Sequence, residues 1–119
     1  MIVAGMLMSF SAESPMAKLM RQMLNYLKVE QQLVSSGKPR QDYPTLFGKI
    51  KNAKTTAGKK LSAEHAEYEA AFFSNLEMYY KADDAQRKEK FNLLISTCVQ
   101  CHEHECPGPI STINSYRVD

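Results

Sequence analysis

No apolar run in the 119-residue chain approaches the ~20 residues that a membrane-spanning helix needs. A lopsided charge is also missing. The chain has 15 Lys plus Arg against 13 Asp plus Glu, and a net charge of +2 argues against a nucleic-acid binder. Three cysteines cannot pair off into a complete set of disulfides. Alternating strand patterns and internal repeats are absent, and nothing suggests hydrolysis, group transfer or a nucleotide site. What remains, at 44% hydrophobic and 24% charged, has the composition of one foldable globular domain.

Residues 1–12 (MIVAGMLMSFSA) carry no charged side chain and are mostly apolar. They match the apolar core of a secretory signal ending in small residues at Ser11 and Ala12, although a basic start is lacking. The reading is a signal-peptide remnant ahead of a domain at 13–119, exported to the periplasm. The alternative is a retained apolar helical extension.

The rest of the chain reads as all-α. Ser14-Pro15 is an N-cap followed by proline in the first helical position. Met16, Met20, Met23, Leu27 and Val34 then mark one apolar face, and Gly37 with Lys38-Pro39 ends the helix. A weaker second helix is expected from about Pro44, carrying Leu46, Phe47, Ile50 and Ala53. Ser62 reads as the cap of a third, with Ala66, Ala70, Phe73, Leu76 and Tyr80 facing inward. Asp83-Asp84 closes it and caps a fourth, on which Phe91, Leu94, Ile95, Cys98, Cys101 and His102 share a face. Pro107-Gly108-Pro109 stops that helix, and Ile110, Ile113 and Tyr116 should anchor the tail over the domain. Four helices with short connections favour an antiparallel four-helix bundle.

Cys98-Val99-Gln100-Cys101-His102 is C-x-x-C-H, the attachment signature for c-type haem. On a helix of ~3.6 residues per turn, positions 98, 101 and 102 fall within roughly a 100° arc. Two thiols on that arc can bond the two vinyl-derived carbons of one porphyrin edge, and the adjacent imidazole can reach the iron. Three other chemistries compete. A thioredoxin-like C-x-x-C normally opens a helix after a strand, and here it lies near the end of one. A zinc site could recruit Cys98, Cys101, Cys106 and either His102 or His104, but one continuous helix cannot easily aim them at a tetrahedral centre. A buried structural pair of cysteines is the last.

On FNLLISTCVQCH (Phe91–His102) and MRQMLNYLKVEQQLVSSGKP (Met20–Pro39), the chain resembles the cytochrome c′ and cytochrome c556 family of four-helix-bundle cytochromes. The tail Cys106-Pro107-Gly108-Pro109-Ile110 departs from the family's usual basic helix end. The resemblance implies one covalently attached haem c, with Cys98 and Cys101 as thioether donors and His102 as proximal iron ligand. It also implies a residue from the first helix on the other side of the iron, a methionine in c556-type members and a non-ligating apolar residue in c′-type members. Met20 falls at that position, with Met23 and Met16 as alternatives. A methionine stripe at helical spacing is equally what an adaptable core looks like.

A His/Met-ligated iron has both axial positions filled and is suited to accepting and donating one electron. An open sixth position would bind small gases such as NO or CO. The expectation is therefore an electron carrier, not an enzyme, serving redox partner proteins, with gas binding as the alternative. Homodimers are common in the family. Segment 38–60 has a net charge of +6 from Lys38, Arg40, Lys49, Lys51, Lys54, Lys59 and Lys60 against Asp42, and the rest of the chain −4. A positive end of this kind could steer docking with an acidic partner, or be simply a solvated face. His65 among Glu64 and Glu67 reads as surface, and His104 as solvated rim. The odd thiol, Cys106, would either pack under the haem edge or cross-link a dimer. Phe72, Phe73, Tyr79 and Tyr80 read as bundle core, with some members available to stack on a porphyrin.

Overall fold

The structure is a computed structural model that describes residues 13–53, 55 and 60–119. The expected signal remnant at 1–12, and Lys54 and Lys59 of the basic segment, lie outside the described residues. Every regular element among the described residues is helical. In chain order they are α1 (Pro15–Ser36), a 3₁₀ helix η1 (Thr45–Lys51), α2 (His65–Lys81), α3 (Arg87–Glu105) and the short α4 (Ile110–Asn114). None of them is long and apolar enough to cross a membrane.

The first helix is bounded by its own local chemistry. Ser14 Oγ accepts the Ala17 amide at 3.1 Å, satisfying a donor that no helical carbonyl can reach, and Pro15 follows at the first helical position. At the other end Gly37 takes the left-handed conformation (φ 69°), and the Lys38 amide closes onto the Leu33 carbonyl at 2.9 Å. Between these caps Leu19, Met23, Leu27, Glu30 and Val34 are buried at three- and four-residue steps, while Met16 and Met20 are half-buried.

The second predicted helix is corrected. Thr45–Lys51 is a 3₁₀ helix, with Phe47 N–H bonded to the Pro44 carbonyl and Asn52 N–H to that of Lys49. Side chains three apart eclipse in this geometry, so Phe47 and Ile50 insert together as a buried pair. Gly48 in the middle lowers the propensity for a regular α-helix.

The inward face of α2 is also corrected. Phe72, Leu76 and Tyr79 are buried, Phe73 and Tyr80 are half-buried, and Ala66 and Ala70 are exposed. The true stripe shares Leu76 with the expected one, and both fit a 3.6-residue period. Contacts from other helices select between them, through Phe47 against Phe72 (ring centroids 6.0 Å) and Phe91 against Tyr79 (5.5 Å). Ser62 is not the N-cap of α2. That position is Glu64, without a side-chain bond, and Ser62 is committed to α3 instead.

In α3, Phe91, Leu94 and Ile95 are fully buried, as their shared face requires. Asp83 Oδ1 accepts the Gln86 amide at 2.9 Å and so caps the turn that enters this helix. The helix stops at Glu105, before Pro107, and α4 folds the tail back with Ile113 and Val118 buried.

A polar knot lies inside the end of the domain opposite the C-x-x-C-H motif. The fully buried Glu30 carboxylate accepts the Tyr79 hydroxyl, the Gln41 amide (3.2 Å) and the Gln41 side chain (2.9 Å), with Arg87 Nη2 at 4.0 Å. Arg87 also donates to the Lys38 carbonyl, and Tyr26 and Tyr80 are joined hydroxyl to hydroxyl. These bonds tie α1, α2, α3 and the 38–42 segment together, which is the condition for burying a carboxylate without a large cost.

Candidate functional site

The C-x-x-C-H residues occupy the last two turns of α3, where its buried stripe emerges half-covered. Cys98, Cys101 and His102 are each half-buried, and all three cysteines are free. His102 Nδ1 lies 2.7 Å from the Cys98 carbonyl oxygen, one turn back. A carbonyl only accepts, so Nδ1 carries the proton. Nε2, which has no hydrogen-bond partner among the described residues, is the nitrogen left to bind a metal, the arrangement found in metal-ligating histidines.

Two clefts meet at this residue. One, of about 360 Å³, is bordered by Met16, Met20, His65, Cys101, His102 and Cys106, among others. The second, about 250 Å³, is bordered by Met20, Met23, Phe72, Cys98, His102 and Ile113, among others. Met20, His102 and Pro109 belong to both walls, while each thiol belongs to one. Of the three candidate methionines, only Met20 therefore faces both spaces that His102 faces. Met16 borders the first cleft, and the buried Met23 borders the second.

Burial, and then the neighbouring Cys101, pushes the Cys98 thiol up to about 12. Burial also raises Cys101, with Glu105 and Glu69 adding to the effect. Both are therefore protonated at neutral pH, which disfavours the thioredoxin-like reading, where a lowered thiol pKa supplies the nucleophile. Among the described residues no group of three or more His, Cys, Asp or Glu could hold a metal ion, so the zinc set drawn from Cys98, Cys101, Cys106 and a histidine is not assembled.

His65 is corrected from a surface residue to a half-buried member of the first cleft. Its Nε2 lies 3.3 Å from Glu69 Oε2, and its Nδ1 lies 3.4 Å from Glu105 Oε2. Glu105 in turn accepts the Ser62 amide at 2.8 Å and the Ser62 hydroxyl at 2.7 Å, pinning the approach to α2 against the end of α3. The only sequence signal for this arrangement is the i, i+4 spacing of His65 and Glu69. His104 is exposed, its ring tilted against that of Tyr68 with centroids 4.7 Å apart, and its Nε2 lies 3.0 Å from the Tyr68 hydroxyl. Cys106 is exposed at the mouth of the first cleft. Of the aromatic group, Phe72 borders the second cleft, whereas Tyr79 serves the Glu30 knot.

The basic segment is less uniform than its charge count. Lys38, Lys49, Lys51 and Lys60 are exposed, with Lys51 Nζ 5.0 Å from the centroid of the Phe73 ring. Arg40 is half-buried, over the Tyr79 ring at 5.0 Å, and donates to the Ala82 carbonyl, so it serves the fold.

The residues fit a covalently held haem in their donor chemistry: two thiols, one on each cleft, an imidazole with a free Nε2 bordering both, and a thioether on the walls of the same two clefts. Compared with family models, curated proteins and solved structures, the chain matches none.

Proposed function

We propose that this chain is a monohaem c-type cytochrome of the cytochrome c′ and c556 kind, carrying single electrons between redox partner proteins in the periplasm. The observation that carries the reading is the His102 Nδ1–Cys98 carbonyl bond, which leaves Nε2 for a metal on the wall shared by both thiol-bearing clefts. Cys98 and Cys101 would hold the porphyrin as thioethers, His102 would offer the iron its imidazole Nε2, and Met20 its thioether sulfur. The group supplies an iron centre that cycles between ferric and ferrous states. The chain supplies the rest: apolar walls from Met16, Leu27, Phe47, Phe72 and Ile113 that exclude water, and a methionine ligand that raises the potential.

The bundle reading accompanies it. Met20 of α1 and His102 of α3 line the same clefts, and Glu30 of α1 meets Arg87 of α3, in opposite chain order, which supports antiparallel packing. Ser62 with Glu105 and Tyr79 with Arg87 do the same for the α2 and α3 region. In this arrangement η1 occupies the place of the second helix of a four-helix bundle. The exposed lysines of η1 and its flanks are the surface offered to an acidic partner.

The second reading, an open sixth position that binds NO or CO, draws on the apolar space of about 250 Å³ beside Met20. One experiment orders these readings. Protein matured in a host with cytochrome c assembly machinery should gain the mass of one haem and keep it in denaturant. Loss of both thiols (Cys98→Ala with Cys101→Ala) should abolish the gain. A Met–iron charge-transfer band and indifference to CO support the electron carrier, and a high-spin spectrum shifted by CO supports the gas binder. A bare polypeptide refutes both.

A further inference from the structure

The C-terminal segment is not a passive tail. Asn92, on α3, makes a two-bond clasp with Val118: its Nδ2 donates to the Val118 carbonyl at 2.8 Å, and its Oδ1 accepts the Val118 amide at 2.9 Å. Arg117 adds bonds from Nη1 to the Asn92 carbonyl (3.2 Å) and Ser96 Oγ (3.1 Å). From α1, Gln31 Nε2 donates to the carbonyls of Ser115 (3.1 Å) and Arg117 (3.3 Å). The same few residues of tail are thus bonded to both helices. At its other end the segment supplies Pro109 to both clefts and the buried Ile113 to the second.

The spacing gives this bridge its consequence. Gln31 follows Met20, and Asn92 precedes His102, by almost the same stretch of helix, about 15–17 Å at ~1.5 Å per residue. Beside the Glu30–Arg87 pair, the clasp is a second tie between α1 and α3 at this level, and Met20 and His102 line the same clefts further along the two helices. A change in helix separation at the clasp is carried along two stiff helices to that pair.

We infer that the segment Pro109–Val118 is a clasp that sets the separation of α1 from α3, and that Asn92 and Gln31 act through it as positioning residues for Met20. This inference rests on the haem reading above. With the clasp closed, Met20 is held within reach of a metal on His102. With it loosened, the sixth position opens.

The test compares wild type with Gln31→Ala, Asn92→Ala, the double variant and Asn92→Asp, which keeps the acceptor for the Val118 amide. In haem-loaded protein the double variant should retain covalent haem, lose the Met–iron charge-transfer band and raise the CO-reactive ferrous fraction about tenfold, which is ~1.4 kcal/mol in the bound-to-open equilibrium. The milder Gln31→Ala should move the same way, and Asn92→Asp should restore part of the band. An unchanged band and continued CO indifference in the double variant overturn the inference, as does a wild-type ferrous protein that already binds CO. Hydrogen exchange in haem-free protein separates this from failure of the haem reading. Amides of residues 20–24 should exchange about tenfold faster in the double variant, and equal rates overturn the clasp whether or not haem is attached.

Discussion

Replacing Glu30 with alanine should be among the most damaging single changes in this domain. Its carboxylate is fully buried and serves the Tyr79 hydroxyl, the Gln41 main-chain amide and the Gln41 side chain. Arg87, itself buried, keeps Nη2 at 4.0 Å from it, and that nitrogen has no hydrogen bond of its own. Glu30→Ala strands these donors and leaves a buried guanidinium without its counter-charge. Each stranded donor costs about 1–3 kcal/mol, and losing one partner of a buried ion pair costs about 3–5 kcal/mol in all, since the terms overlap. That is a large share of the ~5–15 kcal/mol expected for a domain. At ~4 °C per kcal/mol the melting temperature should fall by roughly 12–20 °C. Glu30→Gln keeps an acceptor and the volume but also leaves Arg87 without its counter-charge, so it should lose less than Glu30→Ala by only about 1 kcal/mol. Urea unfolding followed by far-ultraviolet circular dichroism measures both. A double-mutant cycle with Tyr79→Phe should show coupling of about 1–3 kcal/mol. A loss below about 1 kcal/mol in Glu30→Ala, or additivity with Tyr79→Phe, would refute the claim that this knot holds the helices together.

Two further outcomes are open to measurement. Gly37→Ala should destabilise by about 1 kcal/mol, because the residue sits at φ 69° and the cost is backbone strain alone, with nothing within 4 Å of an added Cβ; a neutral or stabilising result in a urea titration would count against it. Burial, foremost, raises Tyr26 and Tyr79 and takes Tyr80 to about 12. The folded state therefore keeps protons that the unfolded chain, with tyrosines near 10, releases. Stability from these groups should be complete below pH ~10 and fall as pH rises through that value towards 12. Tyrosinate absorbance appearing well before the loss of helical signal would contradict this linkage.

Much of the candidate site was legible in sequence because its parts are neighbours along one helix. Cys98, Cys101 and His102 need only a helical period to share a face, and the Nδ1 bond of His102 is to a carbonyl four residues away. The ends of α1 were equally readable, since Ser14, Pro15 and Gly37 act on amides and carbonyls within a few residues. Stripe selection on α2 was not: 66/70/73/76/80 and 72/76/79 satisfy the same periodicity. Nor was the burial of His65, whose second carboxylate, Glu105, arrives from the end of another helix.

What the sequence determined by itself, then, is an all-helical chain whose last long helix carries two thiols and an imidazole on one apolar face, because short-range hydrogen bonding and helical pitch suffice for that. Tertiary structure alone decided that Glu30 is buried at the centre of a knot. It also decided that Met20, rather than Met16 or Met23, borders both clefts with His102, and that the tail is bonded to two helices at once. Each of these depends on which partner meets a residue from a distant part of the chain, and pitch and propensity are the same whichever partner arrives.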